Sequence, residues 1–523
     1  MSSALLARIR EARVGGAFWA APANLRRPAC VVLRPKASAE LHSLAASLDA
    51  ETRKNAVWVV PQRLANAAAA TVAKQGGAWR CDVDPWSVID GAGGLVAHGD
   101  DEWVLLAGLA GVPVTFLSAG RHGSPGDDEE TLGAKLVSAI AHVSYTDPFT
   151  GERATPEAVV EVLADWQRLI TANRAIVAAS GMAWWKRDEI HRFLWVPGRP
   201  LHIVARATKA LKLARKLGGA VAIWPSRVSP ALIEAAQRQG TGLVRVEDGF
   251  VRSVGLGSNL VPPSSVVVDT RGIHFDPSGP SDLEHILATT TFSAALTARA
   301  AALRQTIVKA GISKYSAGVA ATIPSRTPGR KLVLVPAQVE DDMSVIAGGG
   351  GLASNLELLR RVRAIEPDAE IWFRPHPDVD AGHRKGAVPD DAALAFADRI
   401  VRGGGMAPLL DVVDSVHVLT SLTGFEGLMR GLDVTCHGTP FYAGWGLTHD
   451  LAHIPDRRGR RLSLDELVAG VLILYPRYLD PVSGLPCPPE VLVSRMAQAQ
   501  APNRLGWVAP LRRWQGQFMA KWR

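Results

Sequence analysis

Part of this chain is written twice. Tyr145-Thr-Asp-Pro-Phe-Thr-Gly-Glu-Arg-Ala-Thr-Pro-Glu157 returns as Tyr478-Leu-Asp-Pro-Val-Ser-Gly-Leu-Pro-Cys-Pro-Pro-Glu490, with Tyr, Asp, Pro, Gly, Pro and Glu in the same places. Further matches keep the order. Ala56-Val-Trp-Val-Val-Pro61 answers Glu370-Ile-Trp-Phe-Arg-Pro375, Gly111-Val-Pro-Val-Thr115 answers Gly431-Leu-Asp-Val-Thr435, and Asn173-Arg174 answers Asn503-Arg504. Residues from about 28 to 195 therefore read as a copy of those from about 330 to 518, each alternating apolar strands with amphipathic helices as parallel α/β units do.

The stretch from Gly218 to about Arg330 has no earlier partner and reads as another α/β unit. Its expected strands are Val221-Ala-Ile-Trp224, Leu243-Val-Arg-Val246 and Val266-Val-Val-Asp269, with a helix over Pro230–Gln239. A length of 523 residues fits about three domains at roughly 150 residues each. The expected α/β organisation is an N-terminal segment (1–27), a partial Rossmann-like module (28–170), a Trp-rich basic connector (171–217), a first Rossmann-like lobe (218–330), a second, nucleotide-binding lobe (331–497) and a basic tail (498–523). In open α/β sheets a ligand cleft lies at the carboxyl ends of the strands.

Composition narrows the function class. Hydrophobic content of 47% against 21% charge excludes a disordered or coiled-coil chain. Cys30, Cys81, Cys436 and Cys487 show neither disulfide-framework nor zinc spacing, so a reduced cytoplasm is expected. The first residues lack a signal-peptide pattern and no run of about 18 apolar residues occurs. The net charge of +8 gathers in Lys209–Lys216 and in Arg504–Arg523 beside Trp507, Trp514 and Trp522. This suits an anionic membrane surface or a solvated basic tail. Nucleic acid is not the expected partner, because no helix-turn-helix, zinc-finger or RNA-binding signature accompanies the charge.

Four strings carry the chemistry. Arg374-Pro-His-Pro-Asp378 follows the expected strand Ala369–Phe373, so the prolines hold an extended turn at its carboxyl end and aim His376, with Arg374 and Pro377 beside it. A structural histidine is the alternative. Thr420-Ser-Leu-Thr-Gly-Phe-Glu-Gly-Leu-Met-Arg430 follows the strand Ser415–Leu419 and opens a helix closed by Gly431. Its Ser421, Thr423, Gly424 and Glu426 make either a phosphate seat or an ordinary N-cap.

Gln338-Val-Glu-Asp-Asp-Met-Ser344 lines up Glu340, Asp341 and Asp342 after the strand Leu332–Val335. Crowding would raise at least one pKa if the site is partly buried, and a carboxylate here can serve glycosyl transfer as nucleophile or base, or simply decorate a turn. Arg245-Val-Glu-Asp-Gly-Phe-Val-Arg-Ser-Val-Gly-Leu-Gly257 puts Arg245, Glu247, Asp248 and Arg252 at a strand exit in the other lobe, with glycines that permit close backbone approach. No complete GxGxxG, P-loop or DxD metal motif is present.

Together these strings resemble the KpsC-type capsule polysaccharide β-Kdo transferases, which carry V-E-D-G-F-x-R-S-x-G-L-G-S, Q-V-E-D-D, K-P-H-P-D-V and T-S-L-x-G-F-E in this order. Pro440-Phe-Tyr-Ala-Gly-Trp-Gly-Leu-Thr448 and Leu462-Ser-Leu-Asp-Glu-Leu467 extend the resemblance over about residues 218 to 497. It implies a GT-B-like pair of Rossmann-like domains preceded by a partial repeat. It also implies transfer of 3-deoxy-manno-octulosonic acid (Kdo) from CMP-β-Kdo, with retention through a glycosyl-carboxylate adduct, onto a Kdo linker on a phosphatidylglycerol-type lipid.

Carried over, Asp342 is the nucleophile, His376 and Ser421 hold CMP, and Glu247, with Asp248 beside it, is the acid or base. Arg245, Arg252, Gln338, Asp341, Arg374, Pro377, Thr423, Gly424 and Glu426 are the further substrate-binding positions. No metal or other cofactor is implied. The implied setting is peripheral, at the cytoplasmic face of the inner membrane, with capsule assembly and export proteins as partners.

Arg374 departs from the family's lysine but keeps the charge. In the first copy Val60-Pro-Gln-Arg63 faces Arg374-Pro-His-Pro377 and no acidic string follows Arg34-Pro-Lys36, so one reaction per chain is expected. A non-catalytic scaffold of a capsule assembly complex and a transferase using another nucleotide sugar remain the competing readings.

Overall fold

The computed structural model describes residues 3–23, 29–252, 261–313, 323–380, 382 and 384–498. The basic tail, Asn503-Arg504 and the glycines at 255 and 257 lie outside the described residues. The chain divides into two compact units, Met1–Arg174 with Trp195–Pro200, and Ala175–Leu194 with Leu201–Arg523.

The first unit is built on five parallel strands, β1 (Val31–Leu33), β2 (Val57–Val59), β3 (Ala78–Arg80), β4 (Gly94–Ala97) and β5 (Val114–Phe116), in the order β3-β2-β1-β4-β5. Each is a short apolar run because helices cover both faces, which leaves no solvated side for polar alternation. Val32, Val57 and Leu95 face one core while Leu33 and Trp58 face the other.

The N-terminal residues are not a separate segment, as their expected boundary at 27 implied. The amphipathic helix Ser3–Ala12 buries Leu5 and Ile9 in this core, and Val14 and Phe18 follow. The helix Pro156–Asn173 starts as its sequence dictates, with Thr155 capping the Ala158 amide and proline in the first turn, where no donor is needed.

The second unit contains two sheets. The first has seven strands: β6 (Ile176–Ser180), β7 (His202–Ile203), β8 (Ala220–Ile223), β9 (Leu243–Asp248), β10 (Ser265–Asp269), and, from far along the chain, β17 (Pro476–Leu479) and β18 (Pro486–Cys487). Strands β7, β6, β8 and β9 run parallel; β10, β17 and β18 complete the sheet antiparallel. The second has six parallel strands, β11 (Leu332–Pro336), β12 (Glu370–Arg374), β13 (Arg399–Ile400), β14 (Ser415–Val418), β15 (Asp433–Cys436) and β16 (His449–Asp450), ordered β13-β12-β11-β14-β15-β16. Counted from β11 this is the dinucleotide-fold order, with its topological switch point between β11 and β14.

Two expected boundaries are corrected. Most of the connector expected over 171–217, Ala175–Leu194 and the residues from Leu201 on, is part of the first lobe: it supplies β6 and β7, and its helix Ala207–Leu217 packs Ala210, Leu211 and Ala214 against Val177, Val221 and Ile223. The second lobe does not run to 497, because β17 leaves it to pair with the edge of β10 (Ser265 opposite Tyr478, Val266 opposite Arg477) and so satisfies backbone groups that would otherwise be exposed.

The internal repeat is visible as shared local chemistry. Asp147 accepts the amides of Phe149 (2.7 Å) and Thr150 (3.1 Å), and Gly151 closes the turn onto the Asp147 carbonyl. Asp480 accepts the amides of Val482 (3.2 Å) and Ser483 (3.1 Å), and Gly484 closes onto its carbonyl. Both glycines have positive φ, +76° and +71°, which is why glycine holds that place twice. Tyr145 and Tyr478 each donate a phenolic hydrogen bond to a carbonyl shortly upstream, Ile140 and Leu472.

Candidate functional site

The carboxyl ends of β11 and β14 build the centre of the second lobe. Ser421 caps the helix Leu422–Met429: its Oγ accepts the Thr423 amide (3.2 Å) and donates to Thr423 Oγ1 (3.1 Å). One residue earlier, Thr420 is bound twice by Gln338, which emerges from β11. Gln338 Nε2 donates to Thr420 Oγ1 (3.0 Å) and Gln338 Oε1 accepts the Thr420 amide (2.8 Å). The primary amide thus bridges the two halves of the switch point and ties the acidic string to the helix start.

Gln338 is itself held by a residue that sequence reasoning missed. Asn355, 3% exposed, accepts the Gln338 amide (2.9 Å) and donates to the Gln338 carbonyl (2.8 Å) and the Gly386 carbonyl (2.9 Å). A Cβ at Gly386 would come within 2.8 Å of Asn355 Nδ2, and its φ is +118°, so only glycine fits. Following Ser354, an ordinary N-cap, Asn355 carries no sequence signal of this role.

The three carboxylates of the acidic string each meet a different partner. Glu340 accepts the Asn355 amide (2.8 Å), and Asp341 makes an exposed ion pair with Arg384 (3.1 Å). Asp342 caps the short helix Met343–Gly348, accepting from Ser344 N (3.0 Å) and Ser344 Oγ (2.8 Å). Both bonds fall on Oδ1, so Oδ2 is not committed to the cap. That helix ends against the switch point: a Cβ on Gly348 would lie 3.0 Å from the Thr420 methyl, and the Thr439 amide donates to the Gly348 carbonyl (2.7 Å).

His376 stands where the sequence puts it, after β12. Its Nδ1 accepts the Asp378 amide (3.2 Å), which places the ring proton on Nε2, and Pro377 begins the one-turn helix Pro377–Asp380. Arg374 is different. It is 6% exposed and its guanidinium donates to the carbonyls of Val401 (3.1 Å), Gly403 and Gly404 (2.8 Å). Burial lowers its pKa. Arg374 therefore secures the loop after β13, and the expected substrate contact is corrected to a structural one.

Gly424 admits the Tyr442 phenol, whose oxygen would be 2.3 Å from an added Cβ, and that hydroxyl donates to the Ser421 carbonyl. Glu426 is buried one turn further on, among Phe425 and Met429.

In the first lobe Glu247 and Asp248 end β9. Glu247 Oε1 accepts the Asp248 amide (3.0 Å). Asp248 meets Lys186 Nζ (2.9 Å) and Arg252 Nε (2.8 Å), and Arg252 is fully buried. Burial opposes the Asp248 charge, yet the Arg252 guanidinium and the Lys186 ammonium outweigh it and hold the carboxyl far below its usual range. In this structure Asp248 and Arg252 are thus committed to a buried ion-pair network, where the sequence led one to expect an acid or base and a substrate contact. Arg245 sits on β9 opposite Asp269 of β10. The two carboxyl edges meet: Phe250, just after β9, packs 4.6 Å from Phe441, beyond β15.

The first copy has a different switch point. The residue that caps the Trp103 amide there is a carboxylate, Asp101 (3.1 Å), gripped at both oxygens by Arg34 (2.9 and 3.1 Å) with the guanidinium 4.4 Å above Trp103. A carboxylate already paired with arginine stands where the second lobe has the hydroxyl of Ser421. Among the described residues, no cluster of metal-ligating side chains occurs and no helix is long and apolar enough to cross a membrane.

The capsule polysaccharide biosynthesis protein family matches residues 219–478, which contain all of the candidate residues carried by the four strings. Lipopolysaccharide-processing protein LpsZ of Rhizobium meliloti is 41% identical over 315 residues, 58% of this chain and 70% of LpsZ. The chain belongs to the capsule polysaccharide biosynthesis family. Another relative, capsule polysaccharide modification protein LipA of Neisseria meningitidis serogroup A, is 41% identical over 342 residues, 65% of this chain and 48% of LipA, so the chain spans about half the length of that protein. Two solved structures of Thermosulfurimonas dismutans KpsC share the fold. Its β-Kdo 2,7 transferase is 34% identical with a TM-score of 0.51, and its β-Kdo 2,4 transferase 31% identical with 0.54. Each covers 62% of this chain, and 99% and 98% of the respective KpsC chains are covered. The family match begins after β6 and β7, which explains how these strands escape a motif-based reading.

Proposed function

We propose that this chain is a glycosyltransferase that moves Kdo from CMP-Kdo, with retention, onto an acidic saccharide acceptor carried on lipid. The observation that carries the reading is the Gln338 bridge, which joins the acidic string to the Ser421 helix start at the switch point. Likeness to two KpsC Kdo transferase structures supports the choice of sugar.

The chemistry follows from the placement. The CMP phosphate sits at the start of the Leu422–Met429 helix, where the first amides and the Ser421 hydroxyl accommodate negative charge, with the Nε2 proton of His376 as a further donor. The Asp342 carboxylate attacks the anomeric carbon as the bond to the phosphate oxygen breaks, and the electron pair leaves on CMP. An acceptor hydroxyl then displaces Asp342 and loses its proton to a base, for which Glu247 is the candidate. Two inversions give net retention. Lobes meeting at Phe250 and Phe441 exclude water from the adduct. The helix Ala207–Leu217 exposes Lys209, Lys212, Arg215 and Lys216, which supports peripheral contact with anionic lipid.

The test is incubation of the purified protein with a CMP-Kdo generating system and a short Kdo-terminated acceptor, with UDP- and ADP-sugars in parallel. Mass spectrometry should show Kdo added from the CMP donor alone. Transfer from a UDP- or ADP-sugar instead would reassign the donor, and no transfer from any donor would favour a scaffold.

A further inference from the structure

The tryptophans after β6, within the segment that the sequence presents as a connector, stand at the edge of the first lobe that carries the ends of β8 and β9. These strands are parallel to β6, so the residues that follow them converge there: Trp184, Trp185 and Lys186 after β6, Trp224 and Arg227 after β8, and Asp248 at the end of β9. Lys186 Nζ lies 3.5 Å from the centre of the Trp224 ring and 5.0 Å from that of Trp185, and Arg252 lies 5.9 Å from Trp185. Asp248 lies between the two cations and pairs with each. This buried layer fixes the backbone turn from which Trp184 projects, and Trp184 is 62% exposed, the second most exposed of the large hydrophobic side chains described.

An indole held in water by a rigid mount gains nothing for folding. It offers a flat apolar face, which suits the C–H face of a pyranose. Arg227, exposed and with its Cβ 3.4 Å from where a Cβ on Gly181 would lie, places a basic residue beside the exit of β6. Among the described residues, no carboxylate forms an ion pair with it.

We propose that Trp184 is a stacking platform for an acidic sugar of the acceptor, with Arg227 receiving its carboxylate. The assignment rests on the transferase reading for its biological sense, since the nucleotide is bound by the other lobe and the acceptor must approach from this one. It also explains why so much chemistry of the Val-Glu-Asp-Gly-Phe string is spent on ion pairing: Asp248 and Arg252 brace the mount.

Two measurements test it. In the transfer assay, Trp184→Ala should raise the acceptor KM about three- to tenfold, the range expected for losing one aromatic contact, while the donor KM moves by less than about twofold. Trp184→Phe should recover part of the loss. Because the side chain is exposed, Trp184→Ala should leave thermal stability unchanged. Independently, a short acidic oligosaccharide without donor should bind the wild type by calorimetry, bind Trp184→Ala and Arg227→Gln more weakly, and outcompete its neutral, carboxyl-reduced form. If the wild type transfers sugar and Trp184→Ala keeps the wild-type acceptor KM, the platform is wrong and the transferase reading stands. If the wild type binds the oligosaccharide through Trp184 but transfers nothing, the platform stands and the transferase reading falls. Binding and transfer both absent overturn both.

Discussion

Asn355→Ala removes three hydrogen bonds at once, those to the Gln338 amide, the Gln338 carbonyl and the Gly386 carbonyl, while the bond from the Asn355 backbone to Glu340 survives. A typical bond contributes about 0.5–1.5 kcal/mol net, and each buried group left without a partner costs about 1–3 kcal/mol. Water can enter to serve some of the three groups, so the loss should be about 3–4 kcal/mol. The functional effect should exceed what unfolding alone explains. Gln338 loses both backbone anchors, and its side chain is what fixes Thr420. A displacement of about 1 Å in such a contact can lower turnover on the order of 100-fold. Asn355→Asp is the informative companion. It keeps the acceptor for the Gln338 amide but sets a carboxylate against two carbonyls, so its activity should improve as the pH falls and the carboxyl regains a proton to donate. The assay is denaturant unfolding alongside transfer rates measured where each variant is folded. Wild-type stability together with wild-type turnover in Asn355→Ala would refute the reasoning.

Gly424→Ala drives a methyl against the buried Tyr442 hydroxyl, 2.3 Å away, which also holds the Ser421 carbonyl; stability should fall by about 1–3 kcal/mol and nucleotide affinity with it, both readable by thermal shift with and without CMP. Asp248→Ala strands Lys186 and Arg252 in the first lobe, so a loss of about 3–5 kcal/mol is expected; a fully stable but inactive variant would restore Asp248 to catalysis. The buried pair His417 and His437, 3.2 Å apart, has both pKa values lowered to about 4, by burial first and, for His437, by its neighbour. The unfolded chain therefore takes up protons that the folded one refuses: the stability they contribute is intact above about pH 6.5 and lost as the pH falls to about 4, by about 3 kcal/mol for each fully counted group. His437→Gln should flatten that slope in denaturant unfolding, and an unchanged slope would contradict the assignment.

What was legible in the sequence and what was not divide along physical lines. The Asx turns at Asp147 and Asp480 were readable because the turn demands Asp and Gly at fixed offsets, so the repeat survived in the residues themselves. The strands β11, β12 and β14 were readable as apolar runs bounded by polar turns, and with them the positions of Gln338, His376 and Ser421. The first lobe's β6 was not, since a five-residue apolar run between two helices has no period to separate it from helix. Nor was the return of β17 to the first sheet, which depends on an unpaired edge supplied by a strand some two hundred residues earlier. Arg374 misled because a cation after a strand looks the same whether it meets a ligand or three carbonyls of a later loop. Asp248 misled for the same reason, its partner Lys186 lying 62 residues upstream.

The central claim is that the switch point of the second lobe is a Kdo transferase active site with Asp342 as its nucleophile. The most direct measurement compares wild type with Asp342→Ala in the CMP-Kdo transfer assay, with circular dichroism confirming that both are folded. The account predicts Kdo added to the acceptor by the wild type and none above background by the variant. Equal transfer by the two proteins would contradict it.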